Sequence, residues 1–148
     1  MPPILIDTNL LVYLYDTGSP SKAVQARQAL ERLEQTRSGR LSVQSLAEFL
    51  HVSTHKLHPP LSRAEALDQV SLFIRTWPVF DLTALVVLEA ARGARDHDLA
   101  YYDAQIWAVA RLNQVTTIFS EDFRDGQVLE GVRFVNPFAP DFNLEDWV

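Results

Sequence analysis

Four carboxylates stand in this chain where elements of structure begin or turn: Asp7 in ILIDTNLL, Glu48 in SLAEFL, Asp103 in YYDAQIWAVA and Asp122 in FSEDFRDG. Each interrupts or borders an apolar run. Acids are almost never fully buried unless they are paired or bind a metal. Four of them converging in a low-dielectric pocket would repel one another strongly. A hard divalent cation offsets that repulsion, and Mg²⁺ or Mn²⁺ prefers carboxylate and water oxygens. A metal held by carboxylates suits the cleavage of phosphodiesters.

Each acid also has a plainer reading. Asp7 followed by Thr8 and Asn9 is a natural helix N-cap, and the Asn9 amide is suited to orienting a carboxylate or a metal-bound water. Glu48, between Ala47 and Phe49, reads equally as an exposed helix residue; Ser45, one turn earlier, is a candidate partner for it. Asp103 in a first helical turn also answers the helix dipole. Asp122 alone reads as a solvated turn residue, with Glu121 and Asp125 as competing acids. The force of the pattern is that all four acids occur, each tied to a strand end or a helix start.

The elements that must position them follow from periodicity. Residues 3–7 read as a buried strand and 8–15 as a short helix. A longer helix runs over 21–35, with Ala23, Ala26, Leu30 and Leu33 on one face. Ser38-Gly39 breaks it before a strand at 41–43, which leads into a helix over 44–57. Pro59-Pro60 stops that helix. Ser62 and Glu65 form a capping-box pair for the next one. A strand at 79–82, a helix over 83–98 and a helix over 99–114, with Asp98 as its cap, come next. TTIFS at 116–120 reads as a fourth strand and RFV at 133–135 as a weaker fifth. Strands alternating with helices predict an α/β fold, a parallel central sheet of four to five strands flanked by helices. In such sheets the ligand crevice lies beyond the carboxyl ends of the strands. Asp7 and Asp122 fall on that edge, and Glu48 and Asp103 face it from helices.

The chain has 148 residues, which fits one domain spanning 1–148. With 47% hydrophobic and 22% charged residues, it has the composition of a globular protein. No apolar stretch approaches transmembrane length, and the N-terminus lacks the basic start of a signal peptide. Absence of cysteine excludes disulfides, zinc–thiolate sites and thiol catalysis, and is compatible with a cytoplasmic location. The net charge of −6 is the wrong sign for binding nucleic acid by bulk electrostatics, although the four acids supply part of it. Tyr101, Tyr102, Trp107 and Phe123 are aromatic candidates for base stacking. Arg92, Arg95 and Arg124 are candidates for phosphate contacts.

His51 and His55 share a helix face, and His58 follows. The pair has zinc spacing, but a metalloprotease requires Glu directly after the first His, and Val52 is there. Glu48 and His51 form one Glu-x-x-His motif where a di-iron bundle needs two. Surface or partner-contact roles suit these histidines better.

In combination, DTNLLVYLYD, SVQSLAEF, LAYYDAQIWAVA and FSEDFRDGQVLEGVRFVNPF resemble the PIN-domain family, and within it the VapC-type toxins of prokaryotic toxin–antitoxin pairs. The resemblance covers essentially the whole chain. It implies a three-layer α/β/α fold. It also implies Asp7, Glu48, Asp103 and Asp122 as Mg²⁺ or Mn²⁺ ligands, with Ser120 and Asn9 in support. The implied activity is that of a cytoplasmic endoribonuclease, often a homodimer, neutralised by a VapB-like antitoxin. Two positions depart from the pattern: Gln105 stands where an aliphatic residue is common, and His97-Asp98 replaces a pair that often contains Gly. Other readings of the same acids are a PIN-like nuclease outside any toxin–antitoxin pair, acting in RNA processing or on structured DNA, and a non-catalytic binding module. A phosphoaspartate enzyme would need a second Asp at position 9, where Asn stands. The NPFAPDFNLEDWV segment is expected to pack on the domain or meet a partner.

Overall fold

A computed structural model describes residues Met1–Val148. The strands are β1 (Ile4–Ile6), β2 (Gly39–Ser42), β3 (Val79–Phe80), β4 (Thr117–Phe119), β5 (Val128–Leu129) and β6 (Val132–Val135). The helices are α1 (Thr8–Tyr13), α2 (Pro20–Gln35), α3 (Val43–His55), α4 (Arg63–Thr76), α5 (Ala84–His97) and α6 (Tyr101–Leu112). The sheet order is β3-β2-β1-β4-β6-β5. Every pairing is parallel except that of β5 with β6.

Alternation along the short strands assigns each side chain to a layer. Ile4 and Ile6 point into one core with Leu41, Phe119 and Val135, covered by Leu10 and Leu11 of α1, Leu30 and Leu33 of α2, Phe49 of α3 and Phe73 of α4. Leu5 points the other way, with Ile118 and Phe134, under Val86 and Ala90 of α5 and Trp107 of α6. A period of two in the strands thus separates two helical layers. The parallel sheet flanked by helices is the expected architecture.

Several boundaries differ from the sequence expectation for local reasons. Gly39 opens β2 instead of lying in a break. A Cβ there would stand 2.5 Å from Nε1 of Trp77, so the strand passes the indole only because the residue is glycine. The additional strand β5 is two residues long, too short for periodicity to reveal. Glu130 and Gly131 join it to β6 with positive φ at both positions, the twist a two-residue hairpin requires. Asp98 does not cap α6. It closes α5 in the left-handed conformation, and Ala100 precedes α6 without a side-chain cap. The capping box of Ser62 and Glu65 forms as expected. In the C-terminal segment Phe138, Phe142, Leu144 and Trp147 pack against the first core, and Nε of Arg32 donates to the Val148 carbonyl at 3.3 Å.

Helices α5 and α6 pack closely where Gly93 meets the Trp107 ring. A Cβ on Gly93 would fall 2.4 Å from that ring. Trp107 cannot yield: its Nε1 donates to the Leu129 carbonyl at 3.1 Å, and Arg92 and Arg111 lie over its ring. Gly93→Ala, which in an exposed helix gains about 1 kcal/mol of propensity, is therefore expected to destabilise this protein by about 1–3 kcal/mol through overpacking. Thermal denaturation checks the sign.

Candidate active site

The sheet order reverses between β1 and β4, because the chain leaves β1 toward β2 on one side and β4 lies on the other. Crevices for ligands form at such a switch point, beyond the strand carboxyl ends. Asp7 follows β1 directly, and Ser120 to Asp122 follow β4. Their backbones are tied together, the Asp7 N–H donating to the Phe119 carbonyl at 3.0 Å.

Asp7 is both the N-cap of α1 and the most buried of the four acids, 8% exposed. One carboxylate oxygen accepts from the Thr8 N–H at 2.7 Å. The other accepts from the Ser120 hydroxyl, also at 2.7 Å. Burial drives its pKa up to about 7. The Ser120 and Thr8 bonds pull it back, while repulsion from Asp122 and Glu48 adds to the rise. Cap and site are thus one residue.

Ser120 is the hub of the strand ends. Besides donating to Asp7, its oxygen accepts from the Asp122 N–H at 3.1 Å, which fixes the turn that carries the Asp122 carboxylate. The Asn9 side-chain NH₂ approaches Ser120 at 3.5 Å, and Asn9 Oδ1 is buried without a partner. Burial raises the Asp122 pKa, helped by Glu121 and Glu48 and opposed by Asn9. Burial likewise raises Asp103, in the first turn of α6, and Asp122 and Glu48 push it further.

Glu48 is held from two sides. Thr8 Oγ1 donates to one of its oxygens at 3.0 Å, and Gln44 Nε2 to the other at 3.0 Å. Gln44 also donates to the Tyr102 carbonyl at 3.0 Å and accepts from Gln105 Nε2 at 2.9 Å. An amide relay therefore runs from α6 to the carboxylate on α3. Ser45, expected as the partner of Glu48, instead contacts Ser42 and the Ile6 carbonyl.

The competing acids have other employment. Glu121 accepts from Tyr13 and from Lys22, the latter at 2.8 Å. Asp125 accepts the Asn136 N–H at 2.8 Å. Arg92 is committed to Glu89, Asp96 and Glu130, and Arg95 to Asp96. None of the ion pairs in the structure involves Asp7, Glu48, Asp103 or Asp122. His51 and His55 stack on the exposed face of α3 with ring centroids 4.6 Å apart. Of the aromatic candidates, Trp107 is core and Phe123 stacks on Phe134 at 3.9 Å.

The sequence account did not foresee the roles of three residues: Thr8, which touches two of the acids, and the Gln44–Gln105 relay. Gln105 had a visible signal. It is the one polar residue in the wholly buried run from Ala104 to Ala110.

The donor set suits a hard cation. All four acids offer oxygen, three have raised pKa values and repel one another, and the Asn9 oxygen lacks a donor. No three of the side chains are drawn into a closed coordination shell.

The model of the PIN domain matches residues 4–128, and the chain belongs to that family. Among solved structures, a toxin–antitoxin complex from Klebsiella pneumoniae is similar at 19% identity over 91% of this chain and 98% of that one, with a TM-score of 0.66. DNA-bound VapBC from Salmonella typhimurium shares 20% identity over 93% and 99% of the two chains, TM-score 0.66. VapC20 from Mycobacterium tuberculosis, a toxin cleaving the sarcin–ricin loop, shares 19% over 86% and 97%, TM-score 0.65. No curated protein sequence matches.

The raised Asp7 pKa has a consequence for stability. Between the ordinary value of 3.8 and about 7, the folded state holds a proton that the unfolded state has released. The contribution of Asp7 to stability therefore falls as pH rises through that window and is flat above it. In metal-free buffer, Asp7→Asn is expected to remove this slope and to raise Tm at pH 8 by several degrees. Melting curves across that pH range measure both.

Proposed function

We propose that this chain is a Mg²⁺- or Mn²⁺-dependent endoribonuclease, the toxin of a VapBC-like pair. The observation that carries the reading is Asp7: a buried carboxylate at the switch point, pushed up to about 7, with three further acids around it and no basic side chain to neutralise them. Such a site is costly for the fold and suits a cation. PIN domains are nucleases, and the VapBC complexes of similar fold support the toxin assignment.

Asp7, Glu48, Asp103 and Asp122 would hold the metal, with Asn9 and Ser120 supporting them. Bound there, the metal supplies charge neutralisation at the scissile phosphate and a lowered pKa for an attacking water. The chain's own contribution is placement. Thr8 and Gln44 fix the Glu48 carboxylate, which orients the water and accepts its proton. Ser120 keeps one Asp7 oxygen engaged, so that the two residues turn together. In-line attack leaves 5′-phosphate and 3′-hydroxyl ends. A histidine-based route through a cyclic phosphate is not expected.

The partner proposed is a VapB-like antitoxin covering this acidic crevice. Leu85 and Leu88 of α5, both 68% exposed, give an apolar surface for a homodimer. No helix of the structure is long and apolar enough to cross a membrane.

Cleavage of a mixed RNA pool with Mg²⁺, Mn²⁺ or EDTA tests the reading. EDTA is expected to abolish cleavage, and Asp7→Asn or Asp103→Asn to lower kcat at least about 100-fold. Full activity in either variant would sink the assignment. A second expectation concerns the relay: Gln44→Ala frees one Glu48 oxygen and is expected to lower kcat while leaving Tm within a few degrees.

A further inference from the structure

A cavity of about 710 Å³ opens beside Glu48, between α3 and α6. Val43, Ala47, Val52 and Leu82 form its apolar wall. At its mouth stands Tyr102, 67% exposed, its ring edge-on to Tyr101 at 5.3 Å. In its wall lies Gln105, 4% exposed. Gln105 gives one amide N–H to Gln44, and no residue of the chain engages its carbonyl oxygen. Its amide edge is thus held in place by Gln44 with hydrogen-bonding capacity left over, in a lining that mixes apolar side chains with Gln44, Glu48, His51 and Lys56, the make-up of a ligand site.

We propose that this cavity is a subsite for one unpaired nucleobase of the RNA substrate, stacked on Tyr102 and read along its edge by Gln105. The inference rests on the ribonuclease reading and adds to it a determinant of sequence preference. Three features select a base over other occupants. The cavity adjoins the acids directly through Glu48, so a strand whose phosphate lies at the acids carries its neighbouring nucleotide to the mouth. The apolar side chains of Val43, Ala47, Val52 and Leu82 and an exposed phenol ring suit a flat aromatic group, because every base has a stacking face. The remaining N–H and C=O of Gln105 lie side by side, the pairing by which glutamine recognises a base edge. Lys56 lies on the lining and makes no ion pair with the chain, which suits the phosphate of the stacked nucleotide. Single-stranded RNA is recognised in this way, by splayed bases on aromatic platforms.

The test combines two measurements on the full chain. Affinity for a fluorescent single-stranded RNA is read by anisotropy in metal-free buffer, and KM, kcat and cut-site sequence are read with Mg²⁺. Tyr102→Ala is expected to weaken binding and raise KM by roughly 10-fold, with a smaller change in kcat, and Tyr102→Phe to restore both. Gln105→Leu is expected to relax base preference at one nucleotide beside the cut. Its overall rate is not the readout, because Gln105 also supports Gln44. Unchanged KM and cut sites in Tyr102→Ala and Gln105→Leu, beside an active wild type, would overturn the subsite and leave the ribonuclease reading standing. A Tyr102→Ala protein that changes only its oligomeric state, with RNA affinity intact, would also overturn it and assign this face to a second copy of the chain. A wild-type chain that neither binds nor cuts RNA would remove both readings.

Discussion

Electrostatic self-repulsion at one end of the sheet is the constraint on which this structure turns. Asp7, Glu48, Asp103 and Asp122 lie near enough to repel one another where the strand order reverses, and none of them has an ion-pair partner. Burial of Asp7 costs stability whenever the carboxylate is ionised. Hydrogen bonds from neutral groups offset part of that cost: a backbone N–H and a serine hydroxyl at Asp7, as a threonine hydroxyl and a glutamine amide do at Glu48. These groups orient the carboxylates without discharging them. An arginine in their place would offset the repulsion and discharge the carboxylates.

Basic residues are kept elsewhere by the same logic. Arg92 and Arg111 sit over the Trp107 ring and pair with Glu89 and Glu130. That cluster joins α5 and α6 to the β5–β6 turn and belongs to the scaffold. Lys22 is engaged by Glu121 and Tyr13 at the edge of the acidic region. The separation leaves the acidic region of an acidic chain without basic side chains of its own, so under the proposed function attraction to a phosphodiester would fall to a cation and to local contacts, with little help from the net charge.

Much of this was legible in the sequence, and the limits have physical causes. The alternation of helices and strands pointed to a parallel sheet flanked by helices because each main strand is a short apolar run and most of the long helices are amphipathic, α6 with its buried run being the exception. Asp7 stood out because an acid ends a run that must be buried. Strand β5 escaped notice because two residues carry no period. Asp98 was misassigned because a left-handed C-cap and an N-cap draw on the same short polar side chains. The Glu48 partner was wrong for a related reason. Helical spacing favoured Ser45, but Thr8 and Gln44 reach the carboxylate, and Thr8 lies 40 residues away in sequence. Local spacing cannot see a partner that tertiary packing supplies.

Strand β1 is only three residues long, yet it carries both the core and the approach to Asp7. Ile4 and Ile6 face one layer and Leu5 the other. A slip of one residue against β2 and β4 would exchange these faces and turn Asp7 away from the crevice in the same movement. Misregistered chains would therefore lose their apolar packing and their acidic cluster together. Hydrophobic sorting acts here as a proofreading step, so that a chain whose apolar layers are correctly packed is also one whose acidic crevice is correctly assembled.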